Sequence, residues 1–148
     1  MDRQERPQER LLSGSTGKGQ GMKKPPTLAK LKKKLDQVFS RWIRQRGADE
    51  GGTNECVSCG TLKHWKDLQA GHYYSRVFTA LRWHPENVWP QCMRCNIFLK
   101  GNMIPYGRAL VTLIGQERLD VMDSIHRHTM KLSRADIEAM IELYEVTQ

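Results

Sequence analysis

The chain has 148 residues, with 24 Lys and Arg against 16 Asp and Glu, five His and four Cys, a length that fits one domain with a short appendage. No window approaches 18 consecutive apolar residues and no charged-then-apolar leader opens the sequence, so neither a membrane span nor a secretory signal is expected. Hydrophobic content of 39% is lean for so small a domain, which predicts a modest core that needs a staple. The net charge of +8 is one-sided: residues 1–47 hold 13 Lys and Arg against 4 acids, whereas residues 48–148 hold 11 against 12. Such asymmetry points to a polyanionic partner, nucleic acid or an anionic membrane surface, more than to a solubilising tail.

Residues 1–27 mix Gly, Ser, Pro and charge without an apolar period, and a disordered basic tail is expected there. From 28 to 47 the period changes. Leu28, Leu31, Leu35, Val38, Phe39, Trp42 and Ile43 recur at three- and four-residue steps, with Gly47 as a stop, which predicts an amphipathic helix. Its other faces carry Lys30, Lys32, Lys33, Lys34, Arg41 and Arg44; taken alone, such a stripe is an ordinary solvated face. Residues 55–102 lose helical periodicity and gain Cys, Gly, His, Trp and Pro. Residues 104–148 regain it: Leu110, Leu113 and Ile114 lead to a capping Gly115, and Leu119, Met122 and Ile125 form a second series. A last helix starts at Ser133, with Asp136 as capping-box partner and Ile137, Met140, Ile141 and Tyr144 on its apolar face.

The cysteines form two pairs, Cys56-x-x-Cys59 and Cys92-x-x-Cys95, separated by 32 residues. A two-residue gap lets one tight turn aim both sulfurs at one ion, and Gly60 suits the positive φ that such a knuckle needs. Four thiolates make a closed tetrahedral zinc site of the structural kind, with no open position for catalysis. Two disulfides would need an oxidising compartment that nothing in the sequence implies, and a redox pair would leave one CxxC idle. Zinc binding would supply the missing staple, because metal affinity adds to folding free energy. The predicted fold class is α+β: a small zinc-stapled core flanked by a basic N-terminal helix and C-terminal helices.

Around the knuckles stand His72, Asn87 and Asn96 in chain order, then Lys100, Gly101 and Asn102. With CVSCG at Cys56–Gly60, AGHY at Ala70–Tyr73, Leu81-Arg82 leading to Glu86-Asn87, QCMRCN at Gln91–Asn96, KGN at Lys100–Asn102, Pro105-Tyr106, IGQE at Ile114–Glu117 and Arg127-His128, the sequence is similar to HNH endonucleases of the ββα-metal type. The closer resemblance is to the NinG (Rap) recombination nucleases of lambdoid phages. It covers about residues 28–148 as a single domain.

That resemblance implies a treble-clef, HNH-like core and a structure-specific endonuclease acting on branched double-stranded DNA, including Holliday junctions and D-loops. It implies 5′-phosphate and 3′-hydroxyl ends, and a phage or prophage protein working in the cytoplasm of the bacterial host. His72 would be the general base, Asn87 its orienting partner, and Asn96 a ligand of a catalytic Mg²⁺ or Mn²⁺. The chemistry needs such a set: a neutral imidazole to take a proton from water, and an uncharged oxygen ligand for a hard cation that relieves charge on the leaving oxygen. Many HNH sites carry an Asp or His before the base as a second metal ligand, and here that position is Gly71. Asn102, then Asp67 and Glu86, are candidate replacements.

Tyr73, Tyr74, Arg76, Lys100, Tyr106 and Arg108 form a candidate phosphate-contacting rim beside Lys32, Lys33, Arg41 and Arg44. Asn87 also reads as a turn residue and Asn96 as a helix cap. Trp65, Trp83 and Trp89 suit core packing better than base stacking. His126 and His128 are two apart and would face different ways on a helix; His64 and His84 belong to no constellation. Symmetric cutting of a junction needs two active sites or two successive nicks, and the first option is a homodimer. The competing function is a non-catalytic zinc module that binds nucleic acid; a third reading is an RNA-binding adaptor, which would prefer single strands over four-way DNA.

Overall fold

The computed structural model describes residues 23–146, so most of the predicted disordered tail lies outside the described residues. Residues 23–27 have no helix or strand, and the carbonyl of Pro26 accepts from Arg134 Nη2 at 2.8 Å.

Helix α1 spans Leu28–Gln45, opened by Thr27, whose hydroxyl accepts the Lys30 N–H at 3.3 Å. It closes at Arg46, followed by Gly47 with φ 80°. Leu31, Leu35, Phe39 and Ile43 recur at four-residue steps and all four are buried. This stripe packs on Ile137, Ile141 and Tyr144 of a C-terminal helix spanning Arg134–Val146, with Trp83 and Val88 in the same cluster. That helix opens on the predicted capping box. Ser133 Oγ accepts from the Asp136 N–H at 3.2 Å, and the Asp136 carboxylate accepts from the Ser133 N–H at 2.8 Å.

Two small antiparallel sheets fill the middle. Strands β1 (Thr53–Glu55) and β2 (Leu62–His64) form a hairpin whose turn carries Cys56 and Cys59. Strands β3 (Leu68–His72) and β4 (Val88–Cys92) pair with Leu68 opposite Cys92 and His72 opposite Val88. The register therefore sets the second knuckle at one end of the pair and His72 at the other. A single π-helical turn, Arg94–Phe98, holds Cys95. The chain then reverses through three left-handed residues, Lys100, Gly101 and Asn102 (φ 50°, 93° and 44°), into α2, Met103–Ile114. Gly115 (φ 83°) separates α2 from α3, Gln116–Ile125, and the Arg134–Val146 helix is α4. Tyr106, Leu110 and Met122 join Leu81 in a second core cluster. The architecture is α+β, as predicted.

Candidate functional site

The four cysteines converge as their spacing requires. One ligand atom from each of Cys56, Cys59, Cys92 and Cys95 lies within 4.8 Å of all the others, and Cys59 Sγ and Cys92 Sγ are 3.8 Å apart. A tetrahedron with zinc–sulfur bonds of about 2.3 Å has edges of about 3.8 Å, so the cluster could hold a zinc ion. Gly60 adopts φ 72° at the end of the first knuckle. The protons are unevenly held. Burial opposes ionisation of Cys59, but contacts to the Thr61 hydroxyl and backbone and to Cys56 and Cys95 outweigh it, bringing that thiol down to about 6. Burial, with Cys59 and Cys92 adding to it, pushes Cys95 up to about 12 against the donated bond from Asn102. Metal binding must therefore release protons from this cluster.

One side chain ties the knuckles together. Gln91 is fully buried on β4, and its Nε2 donates to Ser58 Oγ at 2.6 Å and to the Gly101 carbonyl at 2.7 Å. Its Oε1 meets no partner and lies across Gly71, where a Cβ would overlap it. Gly71 is thus glycine for a packing reason, and no ligand side chain fits there.

A cleft of about 490 Å³ opens between α1, the end of β3 with the loop that follows it, and the turn that leads into α2. His72 and Asn96 both line it, together with Asp36, Arg76, Arg82 and Lys100. His72 Nε2 lies 2.8 Å from the Arg82 carbonyl. A carbonyl only accepts, so Nε2 carries the proton and Nδ1 the lone pair. Burial lowers the pKa of His72, with Arg76 lowering it further, while the Arg82 and Ala70 carbonyls and Asp36 raise it. The net shift is downward, so the ring is neutral at pH 7. Asn96 sits inside the π-helical turn beside Cys95, and its Nδ2 donates to Gln69 Oε1 at 2.7 Å. The bond reaches sideways to β3 rather than capping a helix, and it leaves the amide oxygen for another partner.

Asn87 is also fully buried. Its Nδ2 donates to the carbonyls of Tyr74 at 2.9 Å and Leu81 at 3.0 Å, and its Oδ1 accepts the Tyr74 N–H at 2.8 Å. It clamps the loop between β3 and β4, and its backbone carbonyl accepts the Tyr73 N–H at 2.9 Å, next to His72.

Other residues singled out from sequence fall elsewhere. Asn102 aims its amide at Cys95 Sγ, at 3.4 Å, and does not line the cleft; its left-handed backbone turns it toward the cysteines. Glu86 is engaged by Arg118, with Nη2 2.8 Å from both carboxylate oxygens. Asp67 lines a separate concavity beside Cys92 and Arg94. Arg44, expected on the cationic face, lies over the Trp65 ring at 5.3 Å and donates from Nε to the Ser40 carbonyl. Burial, then the like charge of Arg41, lowers its pKa. Lys33, Arg41, Arg76, Lys100 and Arg108 are exposed, whereas Lys32 and Tyr73 are half-buried. Trp83 is core, and Trp89 carries the Arg46 guanidinium 4.1 Å above its ring. His64 and His84 each accept a backbone N–H that opens a short 3₁₀ turn, and His126 stacks on Tyr74 at 4.7 Å. Asp36 and Gln69, which sequence reading passed over, and Arg82, which it quoted in the Leu81-Arg82 stretch without a role, all meet the predicted residues at the cleft. The signal for Asp36 was its being the only acid of α1.

Fold and site define a small α+β protein built on a four-cysteine cluster that could hold zinc, with a histidine cleft beside it. The family described as Bacteriophage Lambda NinG protein matches residues 8–147, and the chain belongs to that family. Protein ninG of Escherichia phage lambda is 38% identical over 98 residues, 65% of this chain and 46% of that protein. Protein ninG of Salmonella phage P22 is 35% identical over 96 residues, 64% of this chain and 45% of that protein. The match thus spans less than half the length of these curated relatives. No solved structure matches. Among the described residues, no helix is long and apolar enough to cross a membrane.

Proposed function

We propose that this chain is a metal-dependent DNA endonuclease with an HNH-like, treble-clef zinc core, acting on branched recombination intermediates. The observation that carries the reading is the cleft itself. It gathers a neutral imidazole in a defined tautomer, an amide oxygen on a cysteine-braced turn, and the cations Arg76, Arg82 and Lys100.

His72 Nδ1 takes a proton from a water molecule, which then attacks the phosphorus of a backbone phosphodiester held against the cationic wall. The attack breaks the bond to the 3′ oxygen, leaving 5′-phosphate and 3′-hydroxyl ends. Asn96 would hold a Mg²⁺ or Mn²⁺ through its amide oxygen, and when bound such an ion polarises the phosphate and relieves charge on the leaving oxygen. A single neutral oxygen suits a cation that keeps several waters. Zinc at the cysteines would fix the turn that carries Asn96, so the structural metal would position a ligand of the catalytic one. Exposed Lys33 and Arg41 on α1 lend salt-sensitive affinity without sequence readout. A homodimer would supply the second site for a symmetric cut, detectable by analytical ultracentrifugation on a bound junction.

One observation favours a second reading. Gly71 cannot carry a ligand, because Gln91 occupies the space, and a non-catalytic zinc module binding nucleic acid has no use for one. Nicking of a four-way junction with Mg²⁺ or Mn²⁺ separates the two. The nuclease cuts, and His72→Ala loses roughly a hundredfold or more in rate while still binding. Absent cleavage, or cleavage undiminished in His72→Ala, defeats the nuclease reading.

A further inference from the structure

Four donors converge on Asp36, the only acid of α1. Arg82 donates from Nε at 3.1 Å and from Nη2 at 2.6 Å, Trp83 from Nε1 at 2.9 Å, and Arg76 from Nη2 at 3.1 Å. A carboxylate offers about four lone-pair sites, so the group is fully used. The arrangement has a direction. The carbonyl that meets His72 Nε2 at 2.8 Å belongs to the peptide joining Arg82 to Trp83. The two residues on either side of that peptide are therefore gripped by one oxygen pair, 46 and 47 residues away in sequence. The loop around them runs from β3 to β4 with one short 3₁₀ turn, and its turn bonds and the Asn87 clamp use the carbonyls of Ser75, Phe78, Leu81, His84 and Tyr74, while the Arg82 carbonyl meets His72. Trp83 is buried, and the Arg82 side chain is 24% exposed, which leaves this anchor largely shielded from water.

We propose that Asp36 is a positioning residue: it holds the Arg82 carbonyl against His72 Nε2 and so keeps the Nε2–H tautomer, in which the lone pair is on Nδ1. The basic helix then does more than attract a polyanion. It carries the wall that orients the base, and docking of α1 and orientation of His72 become one event. The inference deepens the nuclease reading and rests on it only for its kinetic consequence, because the tautomer is a property of the protein alone. Charge-assisted bonds to a carboxylate are stronger than neutral ones, so an amide at position 36, with donors of its own facing two guanidinium groups, cannot replace it.

The test is a long-range proton–nitrogen correlation spectrum of the zinc-loaded full chain labelled with ¹⁵N, with the ring assigned by its loss in His72→Gln. Wild type is expected to show the Nε2–H tautomer alone. In Asp36→Asn the Nδ1–H form appears alongside it, and the single-turnover rate on a junction falls roughly tenfold while the dissociation constant moves far less. Arg82→Lys keeps charge and carbonyl but loses the fork and is expected to do the same. It carries the test if thermal melting shows Asp36→Asn to be unfolded. Arg76→Ala keeps the pure tautomer and weakens junction binding. If both Asp36→Asn and Arg82→Lys retain the pure tautomer, the proposal is wrong. Loss of Mn²⁺ binding in Asp36→Asn with an unchanged tautomer would make Asp36 a ligand instead and overturn it too. A wild type that never cuts, but whose tautomer mixes in Asp36→Asn, removes the nuclease reading and leaves the positioning role standing.

Discussion

His72 illustrates how burial and a single hydrogen bond select a protonation state. Removing the ring from water disfavours its charged form, and the Arg82 carbonyl selects which nitrogen keeps the proton. The folded pKa lies below the unfolded one, so acidification below the ordinary histidine value of about 6.5 protonates the unfolded chain first. The contribution to stability is complete above that pH, is lost as the pH falls toward the folded pKa, and changes no further beneath it. An NMR titration of the ring should give a midpoint below 6.5, and urea melts should show a stability slope in this window that His72→Gln lacks. A midpoint at or above 6.5 would contradict the burial argument. Gly71 makes the complementary point: its missing side chain looks like a gap in a metal shell, whereas the folded chain fills that space with Gln91.

At the level of elements, α1 and α4 carry the larger core. Their apolar faces were legible because burial on one side of a helix repeats every three to four residues, and the Ser133–Asp136 box was legible because capping is local. Phe39 sits at the centre, 2% exposed, with the Tyr144 ring edge-on at 5.0 Å. Phe39→Ala should cost about 3–5 kcal/mol by urea unfolding, since the transfer loss and the cavity add. It should also disturb the cleft, which Phe39 helps to line. A loss below about 1 kcal/mol would mean that the two helices do not depend on this contact. The cationic face of α1 was less legible than its apolar one. Arg44 read as a charge of that face but lies over the Trp65 ring, as Arg46, just past the helix, lies over Trp89, because a guanidinium can pack as well as pair.

For the whole molecule, the cysteine cluster is the crossing point of the architecture. It joins the β1–β2 turn to the end of β4 and to the turn that carries Asn96. Chelation should therefore unfold the central region cooperatively, read by far-ultraviolet circular dichroism, and Cys56→Ser should do the same. Zinc binding should release protons, because burial pushes the Cys95 thiol up to about 12, and calorimetry in buffers of different ionisation enthalpy would count them. A chain that stays folded after chelation would show that the two cores suffice without the staple.

By itself the sequence determined the elements that depend on neighbours in the chain: the amphipathic faces, the glycine stops, the capping box, and the two knuckles whose spacing commits four sulfurs to one point. It also placed His72 and Asn96 in order on that scaffold. Tertiary structure alone decided which side chains meet across distance. It brought Asp36 to Arg82, turned Asn102 to Cys95, buried Asn87 as a loop clamp, and closed position 71 with Gln91. The reason is physical: periodicity and turn chemistry are properties of a few consecutive residues, whereas the direction of a side chain in an irregular loop is set by whichever surface folds against it.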